Sequence, residues 1–264
     1  MNSDSMRQTR SSFRYRASRL ARLLTVVAAV SVSLGAASGA SAAGSATGLA
    51  KSYSGAARNV TAGESAGITL SGVTENGGSI SGTFAFHAPL SGTGPFKGTI
   101  TGTTVKFTVT PTAASCAVCQ SIVFTGAVSP LVSMSGTWVA HLKSGAPQNG
   151  TWQVGSTWTG TAHNITLSVS SIFTLSQLTE SATGVVAGAA TWVISGAPTE
   201  TCNIAGSVHG STIKFTCNYA GYAQDFTGTL NPVLGTMGGS YTNSYESSHG
   251  TWQLHRSGAT STAV

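Results

Sequence analysis

The groups that could make or break bonds are few in this chain of 264 residues. It has four cysteines, six histidines and seven carboxylates. Cys116 and Cys119 form C-A-V-C within PTAASCAVCQS. That spacing suits a redox dithiol, which needs a strand leading into a helix, or half of a zinc site, which needs two more ligands. Neither setting is visible, and a small loop disulfide is the expected use. The histidines are His87, His141, His163, His209, His249 and His255, with no H-E-x-x-H and no G-x-S-x-G among the surrounding residues. His141 shares a segment with Trp138, and His249 precedes Gly250-Thr251-Trp252; rim or surface positions are expected for both. Glu75 and Glu180 each follow a Thr beside a turn, and Asp225 is the last aspartate of the chain. An isolated Glu in such a place reads as a solvated turn residue, and one carboxylate per half does not make a glycosidase pair. The expectation is a protein that is not an enzyme, with no cofactor and no metal.

The aromatic residues carry more information, because the chain repeats itself. SYSGAARNVT (52–61) returns as TWTGTAHNIT (157–166), and GTITGTTVKFTV (98–109) returns as GSVHGSTIKFTC (206–217). SGTWVAHLKSGAPQNGTWQVG (135–155) returns, degraded, as GGSYTNSYESSHGTWQLHR (238–256). On this alignment Tyr53 matches Trp158, Phe86 matches Trp192, Trp138 matches Tyr241 and Trp152 matches Trp252. Asn59 matches Asn164. Recurring aromatics either pack a core or wall a small-molecule site with a few polar groups. An Asn at that place either bonds a ligand or closes a turn. The candidate ligand-binding residues are therefore Tyr53, Asn59, Trp138, Trp152, Trp158, Asn164, Tyr241 and Trp252.

The elements that would position them are strands. Short β-type runs separated by Gly, Asn, Ser or Pro recur throughout the region after residue 50. Eight fall in each repeat, the last of the first set near 149–155 and the first of the second near 157–166. A repeat of roughly 100 residues is the size of one small domain. The expected fold is all-β: two tandem eight-stranded antiparallel up-and-down meanders, barrel-like, each filled by side chains or holding one small ligand. The expected divisions are a signal peptide at 1–42, a linker at 43–51, barrel-like repeats at 52–155 and 156–256, and a flexible tail at 257–264. Two-residue turns are expected at Thr101-Gly102 and His209-Gly210. With that register Cys202 and Cys217 sit directly opposite each other, which reads as a cross-strand disulfide in an exported protein. Cutting it is expected to weaken the second repeat and spare the first.

The N-terminal segment supplies the address. Arg7, Arg10, Arg14, Arg16, Arg19 and Arg22 precede an apolar run at 23–34, and Ala40-Ser41-Ala42 resembles a cleavage site. The run is too short to span a bilayer. A secreted, extracellular protein of bacterial type is expected, with no membrane span in its mature part. Beyond residue 42 seven basic residues face six acidic ones, so the +6 of the whole chain falls to +1. No basic stripe remains for nucleic acid.

The order G-x-x-x-N on strand one, SGTF on strand three, FTG on strand six and GTW on strands seven and eight resembles the avidin and streptavidin meander. That family pairs a strand-seven Trp with a strand-eight Trp around its ligand, and the resemblance places Trp138 with Trp152, and Tyr241 with Trp252, in those roles. Phe107 and Phe215 stand where the family has a further Trp, and the acid that meets a ureido ring has no clear match. The resemblance thus implies the meander and an aromatic mouth rather than biotin itself. Small secreted Gly/Ser/Thr-rich β modules of bacterial extracellular proteins are a second likeness. The expected function is a non-enzymatic module that takes a small molecule, glycan or protein or peptide ligand at a barrel mouth. The alternatives are a structural or cell-surface interaction protein with filled barrels, and a secreted protease inhibitor.

Overall fold

The computed structural model describes residues 48–219, 221–244 and 247–257. The expected signal peptide lies outside the described residues, as does nearly all of the expected tail. Fifteen strands follow one another without a helix among the described residues. The first eight are β1 (Ser52–Asn59), β2 (Glu64–Asn76), β3 (Ser79–Phe86), β4 (Gly94–Thr101), β5 (Thr104–Val109), β6 (Cys119–Val128), β7 (Met134–Leu142) and β8 (Gln148–Asn164). The rest are β9 (Val169–Glu180), β10 (Val185–Val193), β11 (Glu200–His209), β12 (Thr212–Asn218), β13 (Ala223–Asn231), β14 (Thr236–Asn243) and β15 (Ser248–Arg256).

Each strand pairs antiparallel with its successor, and β1 pairs with β8 to close a ring. The remaining seven strands run from β9 to β15, and both of those pair with β8. Fifteen strands stand where sixteen runs were expected, because the runs near 149–155 and 157–166 are one strand. Gly155-Ser156 reads as a break but does not turn. The strand stays extended there, and a Cβ on Gly155 would lie 2.4 Å from the carbonyl oxygen of Leu178 on β9. The glycine admits a neighbouring backbone, as strand glycines often do. The first half of β8 pairs with β1 and β7, and its second half with β9 and β15.

This topology fixes three levels. The waist lies around 155–158 of β8, and each ring has an outer mouth away from it. Asn59, Phe86, Cys119 and Gln148 stand at strand ends around the first mouth; Asn164, Val193, Asn218 and Ser248 do so around the second. Alternation puts apolar residues inside, as the pattern of β15 shows: Ser248, Gly250, Trp252, Leu254 and Arg256 are buried and every second residue is exposed. Phe84, Phe96, Phe107 and Phe124 fill the middle of the first ring. Phe107 stacks on Phe124 at 4.7 Å, and Trp152 meets both edge-on at 5.5 Å. The second ring repeats this with Phe215 on Phe226 at 4.5 Å and Trp252 at 5.6 Å from Phe215. Such offset and edge-on pairs add to the area that they bury.

The recurrent G-T-W string now has a physical meaning. A Cβ on Gly150 would lie 2.6 Å from the Trp138 indole, and one on Gly250 would lie 2.6 Å from the Tyr241 ring. Each glycine is the seat of an aromatic ring on the preceding strand. The Trp two residues on faces the same interior.

The central hairpins correct one expectation. Thr101 pairs with Thr104 and His209 with Thr212, so the two-residue turns are Gly102-Thr103 and Gly210-Ser211. Both glycines have φ of +60°, the conformation that the first position of such a turn requires. Cys217 is therefore opposite Ile204, and Cys202 bonds it diagonally, with Cα atoms 5.7 Å apart. Cys202 and Cys217 both face the interior.

The waist is sealed by both rings. The β6–β7 loop sends Leu131 into the second core and Val132, with φ of 59°, into the first. Glu180 lies beneath that loop, not in solvent: it is 6% exposed, and its carboxylate accepts a hydrogen bond from the Leu131 amide at 3.1 Å. Its own amide donates to the Ser133 hydroxyl at 2.9 Å. Burial raises the Glu180 pKa, and hydrogen bonds from Leu131 and Ser129 offset part of that rise. The folded chain thus holds this proton more tightly than the unfolded chain. Glu180 contributes stability below the usual carboxylate range and loses it as pH rises through the raised folded value. In Glu180→Gln this part of the slope should disappear; urea midpoints measured across mildly acidic pH in both proteins would show it. Parallel pH profiles would remove Glu180 from the acid response.

Candidate functional site

The eight candidate residues separate by level. Tyr53 and Trp158 are at the waist. The Tyr53 hydroxyl accepts from the Ala50 amide at 2.9 Å, and burial raises its pKa. Ala50 and its neighbour Leu49, in the segment expected as a linker, belong to the first core. Trp158 is fully buried, with the Arg256 guanidinium 5.7 Å from its ring centre. Burial lowers the Arg256 pKa, and nearby Tyr53 and Glu75 oppose that shift. Trp152 and Trp252 fill the two mid-barrels, their indole N–H groups donating to Thr125 and Ser240 carbonyls.

Asn59 and Trp138 stand at the first mouth, Asn164 and Tyr241 at the second. The two asparagines do the same local work. The Asn59 side-chain oxygen accepts from the Ala62 amide at 3.0 Å, and its NH₂ donates to Gln148 at 2.9 Å. Asn164 accepts from the Leu167 amide at 3.0 Å and donates to Ser248 at 3.2 Å. Each closes the turn after its strand and ties it to a neighbouring strand.

The first mouth holds a cavity of about 190 Å³. Phe86, Ile122, Trp138 and Leu90 give it apolar walls, and Asn59, Glu64 and Gln148 give it a polar edge. Phe86 meets Trp138 edge-on at 5.6 Å. The C-A-V-C loop forms the rim. Cys116 and Cys119 are joined in a disulfide, and both line the cavity. The loop is held down where Ser115 donates to the Thr93 carbonyl at 2.7 Å and Lys143 donates to the Ala117 carbonyl at 2.7 Å. Phe86, Ile122, Leu90 and Gln148 were not among the sequence candidates. Phe86 was visible as a repeated aromatic, whereas Ile122 and Gln148 differ between repeats and gave no signal.

The second mouth is covered. Tyr219, in the β12–β13 connection, packs on the second core and stacks on Tyr222 at 4.5 Å. Trp192 lies within, stacked on Phe173 at 4.1 Å. A wider valley of about 630 Å³ crosses the outer wall of the second ring, over Gly238 and Gly239 between Thr161 and Gln253. It is open and lies away from both mouths. The histidines sit at the periphery: His163 bonds Ser170, His249 bonds Thr166, and His141 is exposed. Among the described residues no three His, Cys, Asp or Glu side chains gather where they could hold a metal ion, and no helix is long and apolar enough to cross a membrane.

The fold and the first mouth define an all-β protein with a closed antiparallel barrel and a ring-sized cavity at one end. No protein-family model and no curated protein matches the chain. Among solved structures, it is similar to the crystal structure of Burkholderia oklahomensis agglutinin over 77% of this chain and 94% of that chain, at 12% identity and a TM-score of 0.22.

Proposed function

We propose that this chain is a secreted, non-enzymatic binding protein that seats one small ring, largely apolar, in the mouth of its first barrel. The observation that carries the proposal is the cavity of about 190 Å³ between Phe86, Trp138, Ile122 and Leu90. An apolar cavity of roughly 150 Å³ already accepts a benzene-sized guest. Aromatic walls with a few convergent polar groups are the usual make-up of a small-molecule site. Asn59 and Gln148 supply those groups at the edge, already bonded to each other and so held in place.

Native mass spectrometry of the chain, secreted from a bacterial host, is the test. A reproducible extra mass, lost on denaturation, is expected. Ala140→Phe, which fills the cavity from β7, should abolish it, and so should the milder Ala140→Leu. An unchanged adduct in both variants would sink the proposal. The aromatic filling of both mid-barrels supports a second reading, a structural or surface-interaction protein. A bare mass, with no response to phenol or cyclohexanol in ligand-observed NMR, would move the weight to it.

A further inference from the structure

The two mouths differ in charge as well as in cover. Glu64 opens β2 directly opposite Asn59, and Val169 opens β9 directly opposite Asn164. The repeat therefore keeps the asparagine and exchanges a carboxylate for an alkyl group. Residues directly opposite each other in an antiparallel pair project from the same face of the sheet. Asn59 is 1% exposed and faces the interior, so Glu64 lies on the interior face too. It heads a row whose next members, Ala66, Ile68 and Leu70, are buried. Glu64 itself is exposed, because it stands where the cavity opens to solvent. The turn does not require a carboxylate there. Asn59 closes it through the Ala62 amide, and Asn164 closes its counterpart through the Leu167 amide with Val169 in place of Glu. Among the described residues that line the cavity, Glu64 alone is charged. Lys143 is engaged with the Ala117 carbonyl and does not line the cavity. The Trp138 indole N–H is spent on the Thr151 carbonyl at 3.2 Å, so it offers no donor to an anion.

We infer that the ring taken by the first mouth is a small cyclic or aromatic amine, bound as its ammonium ion. This rests on the reading of that mouth as a ring-binding site and adds the charge of the ligand. The apolar ring sits among Phe86, Trp138, Ile122 and Leu90, and its ammonium group emerges at the edge, where Glu64 meets it. The aromatic walls favour the same sign, since the face of a Trp or Phe ring attracts a cation. An anionic ligand of the same shape meets the like charge of Glu64, and a neutral alcohol is neither drawn nor repelled. Because Glu64 reaches solvent, its pull is that of an exposed ion pair, modest and screened by salt. One carboxylate thus sets an order of affinity: amine first, alcohol second, carboxylate last. With Val169 at the matching place, the second ring has no such preference.

The test uses the full chain and three probes of one shape: cyclohexylamine, cyclohexanol and cyclohexanecarboxylate. They are titrated by ligand-observed NMR at neutral pH, where the first is a cation and the third an anion. The amine should bind about fivefold more tightly than the alcohol, the upper end for an exposed ion pair. The carboxylate should bind most weakly. Raising the salt to about 1 M should narrow the gap between amine and alcohol, which a purely steric role of Glu64 would not do. Glu64→Gln should lower the amine affinity about fivefold, to the level of the alcohol. Glu64→Val, which installs the residue of the second ring, should do the same. Ala140→Phe should abolish binding of all three probes. The inference is overturned if wild type holds the alcohol as tightly as the amine, or if Glu64→Gln keeps the preference for the amine. Cyclohexanol binding that is lost in Ala140→Phe would then leave the ring-binding reading standing. If none of the three probes binds, that reading fails and the inference fails with it.

Discussion

Replacing Trp158 with alanine is expected to destabilise the whole described chain by about 3–5 kcal/mol, the usual cost of removing a large buried aromatic. Trp158 is fully buried at the waist, and its ring lies beside the Arg256 guanidinium. Removing it leaves a cavity and strips a desolvated cation of its aromatic neighbour. The wider effect comes from its strand. Trp158 belongs to β8, whose halves pair with β1 and β7 on one side of the waist and with β9 and β15 on the other. The described residues also belong to one compact unit. Urea unfolding followed by fluorescence and by near-ultraviolet dichroism should show one transition, displaced to lower urea. Two separated transitions, with that of the first ring unmoved, would show that β8 does not couple the rings.

The Cys202–Cys217 bond comes next in expected size. It closes a loop of sequence separation 15, which in the chain-entropy account is worth about 3 kcal/mol. Two independent domains would confine that loss to the second repeat. A strand common to both rings changes the expectation: Cys202→Ser with Cys217→Ser should lower a single calorimetric peak. A reductant-sensitive peak beside an insensitive one would instead mean that the rings melt apart. The Cys116–Cys119 bond, of sequence separation 3, constrains little of the unfolded chain. Its removal should cost far less stability while loosening the rim of the first cavity, read as faster amide exchange at 112–118.

Strands were legible because their signal is local. Alternation placed Val105, Phe107 and Val109 on one face, and all three are buried in the first core. Registers were less legible. A glycine marked each central hairpin, but whether it comes first or second in the turn depends on backbone twist, and the choice moved Cys217 from Cys202 to Ile204. The continuity of β8 was hidden because Gly155-Ser156 has the composition of a turn; its glycine instead answers to a carbonyl on β9, a long-range contact. At the mouths, repetition directed attention to residues that match, such as Asn59 and Asn164, and these turned out to close turns. The cavity residues Ile122 and Gln148 stand where the repeats disagree. Similarity between copies reports shared packing, and chemistry is to be sought in their differences.

The strand directions also settle how the molecule meets tension. β1 begins and β15 ends at the waist, where Arg256 pairs with Trp158 and the Ser257 amide bonds the Thr157 carbonyl. A pull on the two ends therefore reaches each strand at its waist end. Hydrogen bonds in an antiparallel pair lie across the strands. They open singly from that end, as a zip does, instead of resisting together in shear. A protein built this way yields to small forces at its middle, while the strand ends that frame both mouths are the last to feel the load.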